Sequence, residues 1–111
     1  MRLLYVDDHL KFRALVAQQF LSAHEVMFAT TLAEARELLL RERFDAVLLD
    51  HDLPDGTGLE LVESLQSCDL LKRTVAVSSF DEKNARLMEA GVAAAVGKKK
   101  FARMADVLEQ L

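Results

Sequence analysis

The chain has one cysteine, one proline and four glycines among its 111 residues, and each scarcity removes a class of protein. A lone Cys68 forms no internal disulfide and supplies no thiolate set for zinc, and it fits a reducing compartment. So little proline and glycine leaves no flexible linker, and the chain shows no internal repeat or low-complexity segment. No apolar run approaches the ~18 residues of a membrane span, and no charged leader precedes an apolar stretch. Basic residues are also in deficit, with 14 Lys and Arg against 18 Asp and Glu for a net charge of −4. Phosphate neutralisation on nucleic acid wants a clustered basic face, and the short run Lys98-Lys99-Lys100 does not supply one. The first apolar run is not followed by a glycine-rich turn, and Gly56-Thr57-Gly58 is an isolated glycine pair, so nucleotide binding through such a turn has little support. The expectation is one soluble, cytoplasmic domain over residues 1–111, a chain too short for a second, with no direct contact to nucleic acid or membrane.

Half the residues, 51%, are hydrophobic, enough for one ordinary core. They fall into two alternating patterns. Short apolar runs at Leu3–Val6, Glu25–Ala29, Asp45–Leu49, Thr74–Ser78 and Ala93–Gly97 read as strands. Between them lie stretches of helical period. Phe12, Leu15, Val16 and Phe20 place one apolar stripe on a helix near residues 9–22. Thr31 with Glu34 has the form of a capping box opening a second helix that ends near Arg43, with Leu32, Ala35, Leu38 and Leu39 inward. Leu53-Pro54-Asp55-Gly56-Thr57-Gly58 marks a tight loop before a third helix from about Leu59 to Gln66. A fourth helix runs from Asp81 to Ala90 and stops at Gly91. The last runs from Phe101 to Gln110, with Phe101, Met104, Ala105 and Leu108 inward. The order is (βα)5. Runs such as Val47-Leu48-Leu49 are apolar on both faces, so the expected fold is α/β, a doubly wound five-stranded parallel sheet covered by helices on each side.

Four strand ends carry the chemistry: Asp7-Asp8, Asp50, Ser78 and Lys98. In an open parallel sheet these ends share one edge, where such folds place their sites. Taken singly, the residues read as helix caps, a turn hydroxyl and a solvated charge. Together they suit phosphoryl transfer. A hard cation such as Mg²⁺ takes oxygen ligands from one or two carboxylates, which Asp8 and Asp50 can supply. A carboxylate can also accept a phosphoryl group if the charge on its oxygens is neutralised, with Lys98 and Ser78 placed to help. A single imidazole at His51 beside Asp52 gives no transition-metal spacing. His9, His24 and His51 read as packing or surface, and Cys68 as an exposed thiol.

With these residues in order, the chain resembles the receiver domain of two-component response regulators, a flavodoxin-like fold, over its whole length. The match runs through Val6-Asp7-Asp8, Leu49-Asp50 with Leu53-Pro54 and Gly58, Ser78-Ser79, Ala90-Gly91 and Lys98. The resemblance implies Asp50 as phospho-acceptor. It implies Asp8 as direct metal ligand, Asp7 as its water-linked companion and the Asp52 backbone carbonyl as a third ligand for Mg²⁺ or Mn²⁺. Ser78 becomes the switch hydroxyl, with Ser79 replacing it if the alignment slips by one, and Lys98 the phosphate-contacting lysine. It also implies a histidine kinase or phosphotransfer protein as donor, and a downstream protein partner on the face of helix four, strand five and helix five. A homodimer is a further option. The chain would then not be an enzyme beyond its own phosphotransfer and autodephosphorylation.

The chain departs from that family at several points. Lys99 stands where proline usually follows the lysine, so the bond before it is either trans or a costly cis. Ala95 replaces an aromatic that normally takes part in transmission. His9 stands where an acidic residue is common, and the loop before helix four is short. These departures keep a phosphorylation-independent interaction module as an alternative. An aspartyl-phosphate hydrolase with Asp52 as acid-base is a weaker one, because Leu53-Pro54 follows Asp52.

Overall fold

The computed structural model describes residues 1–111, the side chain of Phe20 excepted. Strands β1 (Arg2–Val6), β2 (Glu25–Ala29), β3 (Ala46–Leu49), β4 (Thr74–Ser78) and β5 (Ala94–Gly97) form one parallel sheet in the order β2-β1-β3-β4-β5. Helices α1 (Leu10–Phe20), α2 (Leu32–Arg41), α3 (Val62–Ser67), α4 (Asp81–Ala90) and α5 (Met104–Glu109) cross between strands or follow the last one. This is the expected doubly wound (βα)5 architecture.

The period-two side-chain alternation of a strand divides the core in two. Leu4, Val6, Val47, Leu49 and Ala76 face one side and pack with Leu32, Ala35, Leu65 and Leu87 of α2, α3 and α4. Leu3, Tyr5, Ala46, Leu48, Val75 and Val77 face the other side with Val16 of α1 and Met104 and Leu108 of α5. Helices on both faces explain why the central strands are apolar throughout. No helix, among the described residues, is long and apolar enough to cross a membrane.

The helix ends follow from local chemistry. Thr31 accepts the Glu34 amide at 3.1 Å, which is half of the expected capping box. Glu34 turns its carboxylate to the Thr30 hydroxyl. Asp55, reaching over from the loop after β3, takes the Leu32 and Ala33 amides at 2.8 and 3.1 Å. Those amides hold the Asp55 carboxyl below its usual range. Gly91 ends α4 at φ +113°, a left-handed conformation suited to glycine.

Two apolar residues expected inward are exposed. Leu15 is 51% accessible because the buried side of α1 is set by Phe12, Arg13, Val16 and Ala17, with Leu15 on the opposite flank. The Arg13 stem takes the place beside the core, its guanidinium 4.8 Å from the Phe28 ring centroid. The side chain of Phe20, the last member of that stripe, lies outside the described residues. Ala105 is exposed because Lys98–Arg103 forms short 3₁₀ turns kinked at Lys100, which shift the phase of α5 behind them. The inward positions are therefore Phe101, Met104 and Leu108, with Val107 half-buried. The first turn of the third helix is likewise 3₁₀, over Gly58–Leu61. It is drawn tight by the Gly58 amide on the His51 carbonyl at 2.6 Å and the Thr57 amide on Glu60 Oε2 at 2.8 Å.

Candidate phosphoryl-acceptor site

The ends of β1, β3, β4 and β5 come together at one edge of the sheet. Asp7 extends β1 by one ladder bond, its amide on the Ala29 carbonyl at 3.0 Å, and its side chain is fully buried. Asp7 Oδ1 then accepts the His9 amide at 2.9 Å, the turn that starts α1. Asp50 extends β3 in the same way, its amide bonded to the Val6 carbonyl at 2.9 Å. Its side chain is 5% exposed, with Oδ1 taking the His51 amide at 2.8 Å.

Lys98 bridges the two acids. Its ammonium lies 3.0 Å from Asp7 Oδ2 and 3.3 Å from Asp50 Oδ2, and 5.0 Å from the Phe12 ring centroid. The Lys98–Lys99 peptide is trans, and the chain enters the 3₁₀ segment directly. Burial raises the Asp50 carboxyl above its ordinary value; Lys98 pulls it down, and neighbouring Asp7 pushes it up again. Burial beside Asp7 likewise pushes the Tyr5 hydroxyl far up.

Ser78 closes the set. It pairs with Gly97 across β4 and β5, and its hydroxyl oxygen accepts the Phe80 amide at 3.2 Å, leaving its own proton free to be donated. The connection to α4 is only Ser79-Phe80, as short as expected. A cleft of about 680 Å³ lies over the group. Asp8, Asp50, Ser78, Ser79 and Lys98 line its polar side, and Phe12, Leu53, Pro54 and Phe80 its apolar side. Asp52 also reaches the cleft, but its carboxylate is held by Lys83 and by His51 Nδ1 at 2.9 Å. Lys83 first and His51 second keep it below the usual carboxylate range.

One residue departs from its expected place. His9, expected as surface or packing, has its Nδ1 2.8 Å from both Asp7 Oδ1 and Lys98 Nζ, and 3.5 Å from Asp8 Oδ1 and Asp50 Oδ2. The signal was its position. A residue that directly follows the paired acids and sits at the N-cap of α1 turns back over Asp7. Ligand atoms of Asp7, Asp8, His9 and Asp50 all lie within 4.8 Å of one another. Asp8 Oδ1 is buried with no hydrogen-bond partner, which fits a cation site built from oxygen donors.

The loop after Asp50 depends on Gly58. A Cβ there would collide with the Asp50 carbonyl oxygen and stand 3.2 Å from Leu49 Cγ. Because the obstacle is backbone, Gly58→Ala is expected to cost about 1–3 kcal/mol. Urea unfolding checks this, and an unchanged midpoint would show that the loop yields without strain.

Comparison with known proteins agrees with this geometry. Residues 3–109 match the family described as the response regulator receiver domain. A 38-residue segment, 34% of the chain, is 58% identical to the response regulator protein PilR of Pseudomonas aeruginosa and spans only 8% of that protein. Among solved structures, the response regulator protein TrrA from Thermotoga maritima, in complex with Mg²⁺-BeF, superposes with a TM-score of 0.85 at 21% identity. That likeness covers 98% of this chain and 96% of the other. A response regulator protein from Burkholderia pseudomallei, carrying a phosphorylated aspartic acid, a calcium ion and citrate, superposes with a TM-score of 0.81 at 20% identity, over 96% of this chain and 65% of that one. With the family match spanning nearly every residue, and the paired acids, Asp50, Ser78 and Lys98 gathered at one edge of the sheet, the chain belongs to the response regulator receiver domain family.

Proposed function

We propose that Asp50 accepts a phosphoryl group from a histidine kinase or phosphotransfer protein, in a reaction that depends on Mg²⁺ or Mn²⁺. The supporting observation is the Asp50 carboxylate itself, buried at the base of the cleft with Lys98 3.3 Å from Oδ2. An Asp50 oxygen forms the bond to phosphorus as the bond from phosphorus to the donor nitrogen breaks, so the acyl phosphate keeps the phosphoryl charge at the site. Lys98 offsets that charge, and the Ser78 hydroxyl donates to one phosphoryl oxygen. Asp7, Asp8, Asp50 and the Asp52 carbonyl would hold the cation, which when bound screens the phosphoryl oxygens. Output goes to a protein partner on the face of α4, β5 and α5, and any catalysis is confined to the domain's own gain and loss of phosphate.

Two features weigh against a general hydrolase. Asp52, the acid-base such a reaction needs, is paired with Lys83 and held ionised. Leu53 follows it in a short antiparallel pairing with Gly56, not in a catalytic loop of the hydrolase form. Incubation with an acyl-phosphate donor and Mg²⁺ is expected to add one phosphoryl mass, mapped to the peptide that contains Asp50. No added mass, where a control receiver is labelled, would remove this reading.

A further inference from the structure

The acidic pocket contains a nitrogen donor that the oxygen-only ligand set leaves unused. Resting on the cation-dependent reading above, we propose that His9 Nδ1 is a direct ligand. The site would then be a mixed nitrogen and oxygen site that favours late first-row divalent ions over Mg²⁺.

Three observations carry this. First, His9 Nδ1 stands near ligand-to-ligand spacing from each of the three carboxylates. His9 Nδ1 stands 2.8 Å from Asp7 Oδ1 and 3.5 Å from both Asp8 Oδ1 and Asp50 Oδ2. Ligands about 2.1 Å from a shared metal lie roughly 3.0 Å apart at octahedral corners and roughly 3.4 Å apart at tetrahedral ones.

Second, the imidazole cannot satisfy both of its present neighbours. If Nδ1 carries a proton, that proton serves Asp7 Oδ1 but opposes the Lys98 ammonium, also at 2.8 Å. If Nδ1 carries a lone pair, it serves Lys98 and opposes Asp7. A divalent ion resolves the conflict, since it takes the Nδ1 lone pair and the carboxylate oxygens together. Lys98, within 3.3 Å of His9 Nδ1, Asp7 Oδ2 and Asp50 Oδ2, already marks the point where positive charge is favoured.

Third, His9 is anchored at its backbone. Its amide is fixed on Asp7 Oδ1 at 2.9 Å, so the ring reaches the pocket from a defined position while 58% of the side chain stays exposed. An imidazole adds little for Mg²⁺, which prefers oxygen, and much for Co²⁺ or Ni²⁺.

The test uses chelator-treated protein and metal ions alone, titrated calorimetrically with Mg²⁺, Mn²⁺ and Ni²⁺. Wild type is compared with His9→Ala and with His9→Asp, which puts an oxygen donor in the same place. The ratio of Ni²⁺ to Mg²⁺ affinity is expected to fall in both variants by at least on the order of tenfold, the loss that removing even an indirect support of a ligand causes. Mg²⁺ binding persists in both. Electron spin-echo spectra of the Mn²⁺-loaded wild type should show the modulation of a coordinated imidazole nitrogen, absent from both variants. An unchanged ratio and no nitrogen modulation, with Mg²⁺ bound by all three proteins, would overturn the assignment of His9 alone. Failure of wild type to bind any of the ions would instead remove the cation-dependent reading on which it rests.

Discussion

Asp50→Asn is expected to abolish phosphoryl uptake completely and, in metal-free protein, to raise the melting temperature by several degrees. The first effect follows from chemistry, because a carboxamide offers no anionic oxygen to attack phosphorus. The second follows from burial. The native state holds the Asp50 carboxyl above its ordinary value, so the folded protein binds that proton more tightly than the unfolded chain does. The resulting stability is fully present below the ordinary carboxylate value and is lost as pH rises through the folded-state value. Once ionised, Asp50 therefore opposes folding, while a neutral carboxamide in its place would not. A change of about 1 kcal/mol moves the midpoint of a chain this size by roughly 4 °C. Calorimetric scans from pH 4 to about pH 8 should show wild type losing stability through a window that is missing in the variant. Superimposable pH profiles would mean that Asp50 is solvated, not buried.

Lys98→Ala is expected to do the opposite, lowering metal-free stability by about 3 kcal/mol, the scale of leaving buried charge without its partner. The Lys98 side chain is 9% exposed and is the ammonium that spans Asp7 and Asp50, which are 0% and 5% exposed. Without it the carboxylates face one another, and contact with Phe12 is lost as well. Two further measurements separate these causes. Millimolar Mg²⁺ should restore part of the loss by binding only the native state. In the double variant Asp50→Asn with Lys98→Ala, the cost of losing Lys98 should be smaller than in wild type, because one of its partners is already neutral. A Lys98→Ala protein that melts with wild type would make the lysine a solvated charge.

The order of strands and helices was legible because each rests on a short-range signal. β2, β4 and α4 begin and end where the apolar runs and Gly91 place them. The errors arise where a tertiary contact or a change of helix type overrides α-helical periodicity. Leu15 has the spacing of a buried stripe, but the core recruits the Arg13 stem instead, against Phe28. Ala105 fits an α-helical phase that the 3₁₀ segment resets. Within the site, Asp7, Asp8, Asp50, Ser78 and Lys98 were found because each terminates an apolar run. His9 begins a helix and terminates no strand, so its one sequence signal is its place directly after the paired acids, and the structure adds its approach to four polar groups from β1, β3 and the Lys98 turn. Asp55 is a similar case, since nothing in its neighbours along the chain indicates that it caps α2.

The parallel order of the sheet also fixes a sequence of events in time. Every carboxylate of the cluster lies within the first 50 residues, on strands that pair with one another, whereas the bridging ammonium is residue 98. A ribosome making this chain from its amino end therefore emits the acidic cluster well before the lysine that balances it. At about 5–20 residues per second, the 48 residues from His51 through Lys98 take several seconds to make. Closure of the site therefore waits on the end of the last strand, and the bridge from Lys98 to Asp7 and Asp50 forms only after all five strands have been made.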